Sequence, residues 1–274
     1  MKLLIIGKNG QVGKSLLKEI TKFPEISFLA LDRAELDITD SFSVDEAIRK
    51  YNPNFIINAA AYTAVDKAEK EHTKAYRVNA DGPKNLAISA EKYQACLLHI
   101  STDYVFSGNQ NSLYIESSKV NPKSVYGKSK LKGEQDIALN CSSYIIFRTS
   151  WIFSEYGNNF VKRMMELSKS NDLLDIVDDQ LGGPTYAGDI ANALIKIALS
   201  IYQGNTSFGI YHFSGHPFVS WKEFAIEIFN IALAKRLLMN PIRVNAVSSE
   251  EYPSIAKRPK NSRLDCTKVD NDFM

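Results

Sequence analysis

Cysteine is scarce in this chain: Cys96, Cys141 and Cys266 are its only three, widely spaced and odd in number. They offer neither a disulfide framework nor a metal-ligand spacing. Four histidines (His72, His99, His212 and His216) form no cluster, so no zinc site and no essential metal are expected. No apolar run is long enough to cross a bilayer, and no membrane association is expected. The first residues are strand-like and lead directly into a glycine turn, so no signal peptide is expected and a cytoplasmic setting fits. Charge of one sign is also missing. Thirty-three Lys and Arg offset 31 Asp and Glu, and the longest basic cluster, Lys257 to Lys260, contains Pro259. That balance excludes a nucleic-acid partner or an anionic membrane surface as the expected target. Neither repeats nor low-complexity linkers occur. The length leaves room for one large α/β domain, with or without a small appended lobe.

The chain does have a recurring alternation of apolar strand and helix. Lys2-Leu3-Leu4-Ile5-Ile6 is apolar without polar alternation, as a buried parallel strand requires. Gly7-Lys8-Asn9-Gly10-Gln11-Val12-Gly13 follows, then Ser15 to Ile20 with helical spacing at Leu16, Leu17 and Ile20. Strand, glycine turn and helix in this order suit a dinucleotide. Glycines permit the tight turn, and backbone N–H groups at the helix N-terminus approach a pyrophosphate. Gly7, Gly10, Gln11 and Val12 are the candidates, in a G-x-x-G-x-x-G spacing rather than G-x-G-x-x-G. The next strand, Ser27 to Leu31, ends in Asp32-Arg33. An acid there receives hydrogen bonds from the adenosine ribose of NAD, and an Arg holds the 2′-phosphate of NADP. Both are present, so NADPH and NADH stay open as cofactors. Asp37 and Ile38 sit where a loop would cover the adenine.

Asn54 to Asn58 reads as a strand followed by Ala59, Ala60 and Ala61, whose small side chains let a cofactor lie close to the backbone. Asp66 to Tyr93 reads as helical with an interruption near Gly82-Pro83. Cys96 to Ile100 is a strand ending at Ser101-Thr102-Asp103, and Tyr144 to Phe147 is another, ending at Arg148-Thr149-Ser150-Trp151. Gly7, Asp32, Asn58, Thr102 and Trp151 therefore lie just beyond strand ends, the edge at which open parallel sheets bind ligands. Ser124 to Leu139 is a helix carrying Tyr126 and Lys130, four residues apart and on one face. An ammonium beside a phenol favours phenolate. Bringing a phenol from its ordinary ~10 to near 7 takes roughly 4 kcal/mol, much of which a close cation supplies. Beyond Trp151 the pattern loosens into helices at 159–168, 189–201 and 221–234 and strands at 173–177, 210–213 and 242–247. The expected fold class is α/β: a Rossmann-type doubly wound parallel sheet in residues 1–150 and a smaller substrate-binding lobe, mainly in 151–274, whose elements may interleave with the first. Tyr62, Tyr104 and Tyr144 read as packing residues, His99 as a buried, satisfied histidine, and Glu134 and Asp136 as helix-surface acids.

The chain resembles the dTDP-4-dehydrorhamnose reductase family of the extended short-chain dehydrogenase/reductase superfamily. The likeness is carried in order by Gly7 to Gly13, Asn58 to Glu69, Ser101 to Phe106, Tyr126 to Lys130, Phe147 to Trp151, Gly157 to Phe160, Asp179 to Thr185 and Arg258 to Asp265. It implies reduction of the C4 ketone of dTDP-6-deoxy-L-lyxo-4-hexulose by NAD(P)H to dTDP-L-rhamnose, for cell-surface polysaccharide such as lipopolysaccharide O-antigen. In that scheme Tyr126 is the general acid, Lys130 keeps its pKa low and holds the nicotinamide ribose, and Thr102 bonds the reacting oxygen. Asp103 holds a sugar hydroxyl. Trp151 either flanks the sugar ring or belongs to the core. Asn158, Asn159 and Arg258 contact sugar or diphosphate. A homodimer is a family expectation. Family members continue beyond the position of Met274 into a further helix, so a weakened substrate lobe is one expectation. Two other readings use the same scaffold: another nucleotide-sugar reductase or epimerase, or a non-catalytic regulatory subunit like that of methionine adenosyltransferase.

Overall fold

Residues 1–252 and 254–274 are described by the computed structural model. Five apolar segments become parallel strands: β1 (Lys2–Ile6), β2 (Ser27–Leu31), β3 (Phe55–Asn58), β4 (Cys96–Thr102) and β5 (Tyr144–Thr149). A sixth strand, Gly209–His212, joins the outer edge of β5, giving the order Gly209–His212, β5, β4, β3, β1, β2. The winding reverses between β1 and β3, and at such a switch point the strand ends leave a crevice.

Alternation along each strand sends side chains to both faces. Leu3, Ile5, Phe55, Ile57, Leu98, Ile145 and Phe147 pack on one side against the helices Gln11–Glu19 and Ala187–Tyr202. Leu4, Ile6, Ile56, Leu97 and Ile146 face the other side, under the helices Ser41–Tyr51, Gly82–Lys92 and Val125–Asn140. Each such side chain contributes roughly 1.5–3 kcal/mol on burial. A sheet covered on both faces needs strands without polar alternation, which is why these segments read as continuous apolar runs.

Three elements differ from the sequence expectation. The helix Ser41–Tyr51 was not anticipated, although Asp40 caps it by accepting from the N–H groups of Phe42 and Ser43 and Val44 and Ile48 bury one face. The segment expected to break near Gly82-Pro83 breaks earlier, after Ala68, and runs on from His72 to Lys92 through a wider π turn at Arg77–Asp81. Pro83 falls in the first turn after that widening, where its missing N–H costs little. Glu134 and Asp136, expected on the helix surface, are 3% and 5% exposed. Glu134 pairs with Arg148 of β5, and Asp136 with Lys132.

Past Trp151 the chain alternates between the main sheet and a second cluster. Helix Ala187–Tyr202, strand Gly209–His212 and Val269 of the last helix all join the main layers. The helices Phe160–Leu167 and Trp221–Ala234 and the parallel strand pair Leu173–Val177 and Arg243–Val247 enclose a separate core around Met164, Ile176 and Phe229. Among the described residues no helix is long and apolar enough to cross a membrane.

Candidate active site

At the switch point the ends of β1, β2 and β3 frame a cleft of about 450 Å³. Gly7, Gly10, Asp32, Arg33, Asp37, Ile38, Ala59, Ala60 and Ala61, all predicted cofactor residues, line it. Gly7 has φ +86°, and a Cβ there would lie 2.7 Å from the Ala60 backbone nitrogen. Only glycine keeps the turn this close to β3. Gly10 is the N-cap of the first helix, and no side chain caps that end. Its N–H groups, including those of Gln11 and Val12, therefore suit an anion. The side chains of these two residues do other work. Val12 enters the core, and Gln11 Oε1 accepts from Ser154 Oγ and Asn159 Nδ2, each at 2.9 Å.

The acid–base pair after β2 divides unequally. Asp32 is held by its own loop and by the glycine turn: Oδ1 accepts from the Ala34 N–H at 2.9 Å and Oδ2 from Asn9 Nδ2 at 2.9 Å. Arg33 is 73% exposed along its side chain and only loosely paired with Asp37, at 3.6 Å. Sequence reasoning passed over Asn9, although a polar residue between two glycines of a phosphate turn is a readable signal.

The predicted proton-transfer residues converge at the C-terminal end of β4. Ser124 caps the helix Val125–Asn140, its hydroxyl accepting from the Gly127 N–H, and so presents Tyr126 in the first turn. The Tyr126 ring meets Tyr104 edge-on, with centroids 5.4 Å apart. Thr102 Oγ1 donates to Asp103 Oδ1 at 3.0 Å and accepts from the Tyr104 N–H. Asp103 Oδ2 is buried without a hydrogen-bond partner. Burial pushes the Asp103 carboxyl up to about 6.

Lys130 departs from the sequence expectation. Its Nζ lies 3.0 Å from His99 Nε2 and donates to the Ile100 carbonyl at 2.7 Å. Burial lowers its pKa to about 8. Tyr126 is not drawn toward neutrality: burial pushes the phenol up to about 12, with Thr102 acting in the opposite direction. The helical spacing places the two residues on one face, but the lysine side chain turns to β4. His99 is the buried, satisfied histidine expected of it, with Asn58 Nδ2 3.0 Å from its other ring nitrogen.

The remaining candidates, Trp151, Asn158, Asn159 and Arg258, are not among the residues that line the cleft at the switch point. Trp151 holds φ +49°, rare for a large side chain. Its ring stacks on Trp221 at 3.5 Å between centroids and 9° between planes. Gly182 makes the room, since a Cβ there would lie 2.5 Å from the Trp151 ring. Asn158 is exposed. The Asn159 side chain is spent locally: Nδ2 donates to Gln11 Oε1 and to the Ser154 carbonyl, and Oδ1 accepts from the Lys162 N–H. Arg258 is bound rather than free, its Nη2 3.0 Å from Asp66 Oδ2. Asp66 and Trp221 escaped sequence reasoning because their partners lie 192 and 70 residues away in the chain.

The whole chain, residues 1–274, matches the family model described as the RmlD substrate binding domain. A dTDP-4-dehydrorhamnose reductase from Aggregatibacter actinomycetemcomitans is 50% identical over 273 residues, 99% of this chain and 93% of that protein. The chain belongs to the dTDP-4-dehydrorhamnose reductase family. Among solved structures, a dTDP-4-dehydrorhamnose reductase from Bacillus anthracis in complex with NADP superposes with a TM-score of 0.92 at 38% identity, covering 100% of this chain and 93% of that one. The orthologue from Clostridium acetobutylicum gives a TM-score of 0.91 at 39% identity, covering 99% and 92%. The sequence resemblance and the Rossmann-type fold are thus both shown.

Proposed function

We propose that the protein reduces the C4 ketone of dTDP-6-deoxy-L-lyxo-4-hexulose to dTDP-L-rhamnose with NADPH or NADH. The observation that carries this reading is the convergence of Thr102, Asp103 and Tyr126 at the end of β4, on the same sheet edge as the cleft lined by Gly7, Gly10 and Ala59 to Ala61. A member of the same family is known in complex with NADP. The glycine turn fits such a group, because Gly7 leaves no Cβ between β1 and Ala60 and the first helix begins without a side-chain cap.

Gly7, Gly10, Gln11 and Val12 would cradle the pyrophosphate through backbone N–H groups. Ala59, Ala60 and Ala61 would flank the dinucleotide, and Asp37 and Ile38 would border the adenine. Asp32 and Arg33 would face the adenosine ribose. Because Asp32 is occupied by Ala34 and Asn9, Arg33 is the freer group and favours a 2′-phosphate. When bound, the nicotinamide supplies the hydride to the carbonyl carbon. Tyr126 donates its phenolic proton to the carbonyl oxygen, and its high pKa keeps that proton in place until negative charge develops. Thr102, whose hydroxyl rests on Asp103, would turn that proton to the same oxygen when the ketone is bound. Lys130 would hold the nicotinamide ribose.

Asp103, with one oxygen buried and unpartnered, would receive a sugar hydroxyl. Trp151, held by Trp221, would flank the sugar, and Asn158 and Arg258 would face the nucleotide diphosphate end. Asn159 positions the loop rather than touching substrate, because both ends of its amide are engaged. Residues 1–150 with the returning strand Gly209–His212 form the cofactor half, and the cluster around Met164 the substrate half. A cytoplasmic setting and a homodimer complete the proposal.

The test is the loss of nicotinamide absorbance with dTDP-4-keto-6-deoxyglucose and a matching 3,5-epimerase, for wild type and Tyr126→Phe. Epimerase-dependent oxidation that disappears in the variant is the expected result. Folded, cofactor-binding protein that oxidises neither NADPH nor NADH would reject the reductase reading in favour of another sugar nucleotide or a binding subunit.

A further inference from the structure

The backbone and the side chain of Gln11 serve different halves of the molecule. Its N–H belongs to the uncapped first turn of the helix Gln11–Glu19, next to Gly10. Its side chain leaves that turn for the loop 154–159, where Oε1 accepts from Ser154 Oγ and Asn159 Nδ2, each at 2.9 Å. A backbone donor fixes the direction of the second bond. Asn159 Oδ1 accepts from the Lys162 N–H at 3.1 Å, so Nδ2 faces the Ser154 carbonyl at 2.7 Å and the Gln11 side chain. An amide nitrogen only donates, and Gln11 meets it with its carbonyl oxygen. Ser154 Oγ has a second acceptor in the Tyr156 carbonyl at 3.1 Å, which leaves Asn159 as the firmer partner. Gly157 brings the loop down on the same side chain, since a Cβ there would stand 3.2 Å from Gln11 Cγ. From Asn159 the contacts run on without a gap. Asn159 caps the helix Phe160–Leu167, the Phe160 ring lies 4.5 Å from that of Trp221, and Trp221 stacks on Trp151.

We propose that Gln11 is a positioning residue whose side chain ties the sugar-flanking Trp151 to the turn that cradles the diphosphate, and that this place requires an acceptor without charge. The proposal rests on reading the glycine turn as the diphosphate cradle and Trp151 as the flank of the sugar. The other ties between this loop and the first helix are weaker. Lys18 and Glu155 pair at 3.0 Å with side chains 57% and 40% exposed, and such pairs contribute little in water. Lys14 Nζ stands 5.7 Å from the Tyr156 ring centroid, near the outer limit of a cation–π contact. Ser154 is buried, so water does not readily take the place of its partner. A carboxylate at position 11 would accept the same two bonds, and a helix N-terminus tolerates it, but its charge would oppose a diphosphate at that terminus. An aliphatic side chain would spare the diphosphate and release the loop. The glutamine amide meets both demands.

Gln11→Leu and Gln11→Glu in the full chain separate the two demands. For each, NADPH affinity is read by fluorescence titration and KM for the sugar nucleotide by NADPH oxidation. Gln11→Leu should raise that KM about tenfold or more, by a larger factor than kcat falls, and leave NADPH affinity nearly unchanged. Gln11→Glu should do the reverse, holding KM for the sugar near wild type while NADPH binds at least about fivefold more weakly. Asn159→Ser keeps a helix cap but does not reach Gln11, and adding it to Gln11→Leu should cause little further loss of kcat/KM. A readout without turnover comes from Trp151 and Trp221, the only tryptophans of the chain. Their emission in the unliganded protein should shift in Gln11→Leu and stay in place in Gln11→Glu. Equal losses of NADPH and sugar affinity in Gln11→Leu would overturn the proposal, as would unchanged KM and emission or additive losses in the double variant. If Gln11→Leu does not fold, Asn159→Ser alone carries the same expectations. If the wild type oxidises no NADPH, the reductase reading fails by itself, and the emission and NADPH titrations still decide the role of Gln11.

Discussion

Arg148 of β5 lays its guanidinium along the carboxylate of Glu134, with Nε 3.0 Å from Oε1 and Nη2 2.6 Å from Oε2. Both side chains are at most 3% exposed. The pair ties the helix bearing Tyr126 to the sheet fourteen residues further along the chain. Removing one partner leaves an uncompensated buried charge. Glu134→Ala should therefore lose about 3–5 kcal/mol of stability in denaturant unfolding. Replacing both residues with apolar ones of similar volume should recover most of that loss.

Tyr126→Phe removes the proposed proton donor while leaving the ring against Tyr104. The expected loss in kcat is on the order of 10²- to 10⁴-fold. Cofactor affinity, followed by fluorescence titration, should change little. An equal loss of cofactor binding would place Tyr126 in the cradle rather than at the reacting oxygen.

Reduction should slow as pH rises through about 8, where buried Lys130 loses its proton. Tyr126, pushed up to about 12, stays protonated over that range. The alkaline limb of the kcat/KM profile should vanish in Lys130→Met, whose residual rate should be low and flat. The stability sign is opposite. Between about 8 and the ordinary 10.5 the unfolded chain holds a proton the folded chain has lost, so this group adds stability as pH rises.

Asp103 behaves in the reverse sense. Burial raises its carboxyl from 3.8 to about 6, so the folded protein holds the extra proton between those values. The advantage of the neutral form is complete below the unfolded pKa and is lost as pH rises through about 6. Asp103→Asn should thus match wild type near the acidic end and gain on the order of 3 kcal/mol by neutral pH. Thermal unfolding across pH reads that difference. Activity should fall in the same variant if Asp103 receives a sugar hydroxyl.

Arg33→Ala tests the choice between cofactors. Loss of a charge-assisted contact to a 2′-phosphate should raise KM for NADPH roughly ten- to a hundredfold and leave KM for NADH nearly unchanged. Equal effects on the two would return the discrimination to Asp32.

The polar ends of two neighbouring strands show how much was legible beforehand. Phe55-Ile56-Ile57-Asn58 and Cys96-Leu97-Leu98-His99 pair in register, Asn58 beside His99. Aligning the two apolar runs would have brought these residues together from sequence, but their separation by 41 positions hides the contact until the strands are known to be adjacent. The helix Ser41–Tyr51 was similarly readable from its Asp40 cap, and its omission reflects a short apolar face. No local signal marked Glu134 as buried, since a lone acid on a helix looks solvated until Arg148 arrives from another strand.

By itself the sequence determined the strand–turn–helix order, the glycine turn, the small residues after β3 and the Tyr126–Lys130 spacing. Each of these is a local property, set by backbone sterics, side-chain size and helical or strand periodicity. Tertiary structure alone decided where side-chain charge goes. It turned Lys130 toward His99, bound Arg258 to Asp66, spent Asn159 on Gln11 and stacked Trp151 on Trp221. Those outcomes depend on which distant partner burial makes unavoidable: a polar group removed from water must find its complement wherever the fold brings one within reach.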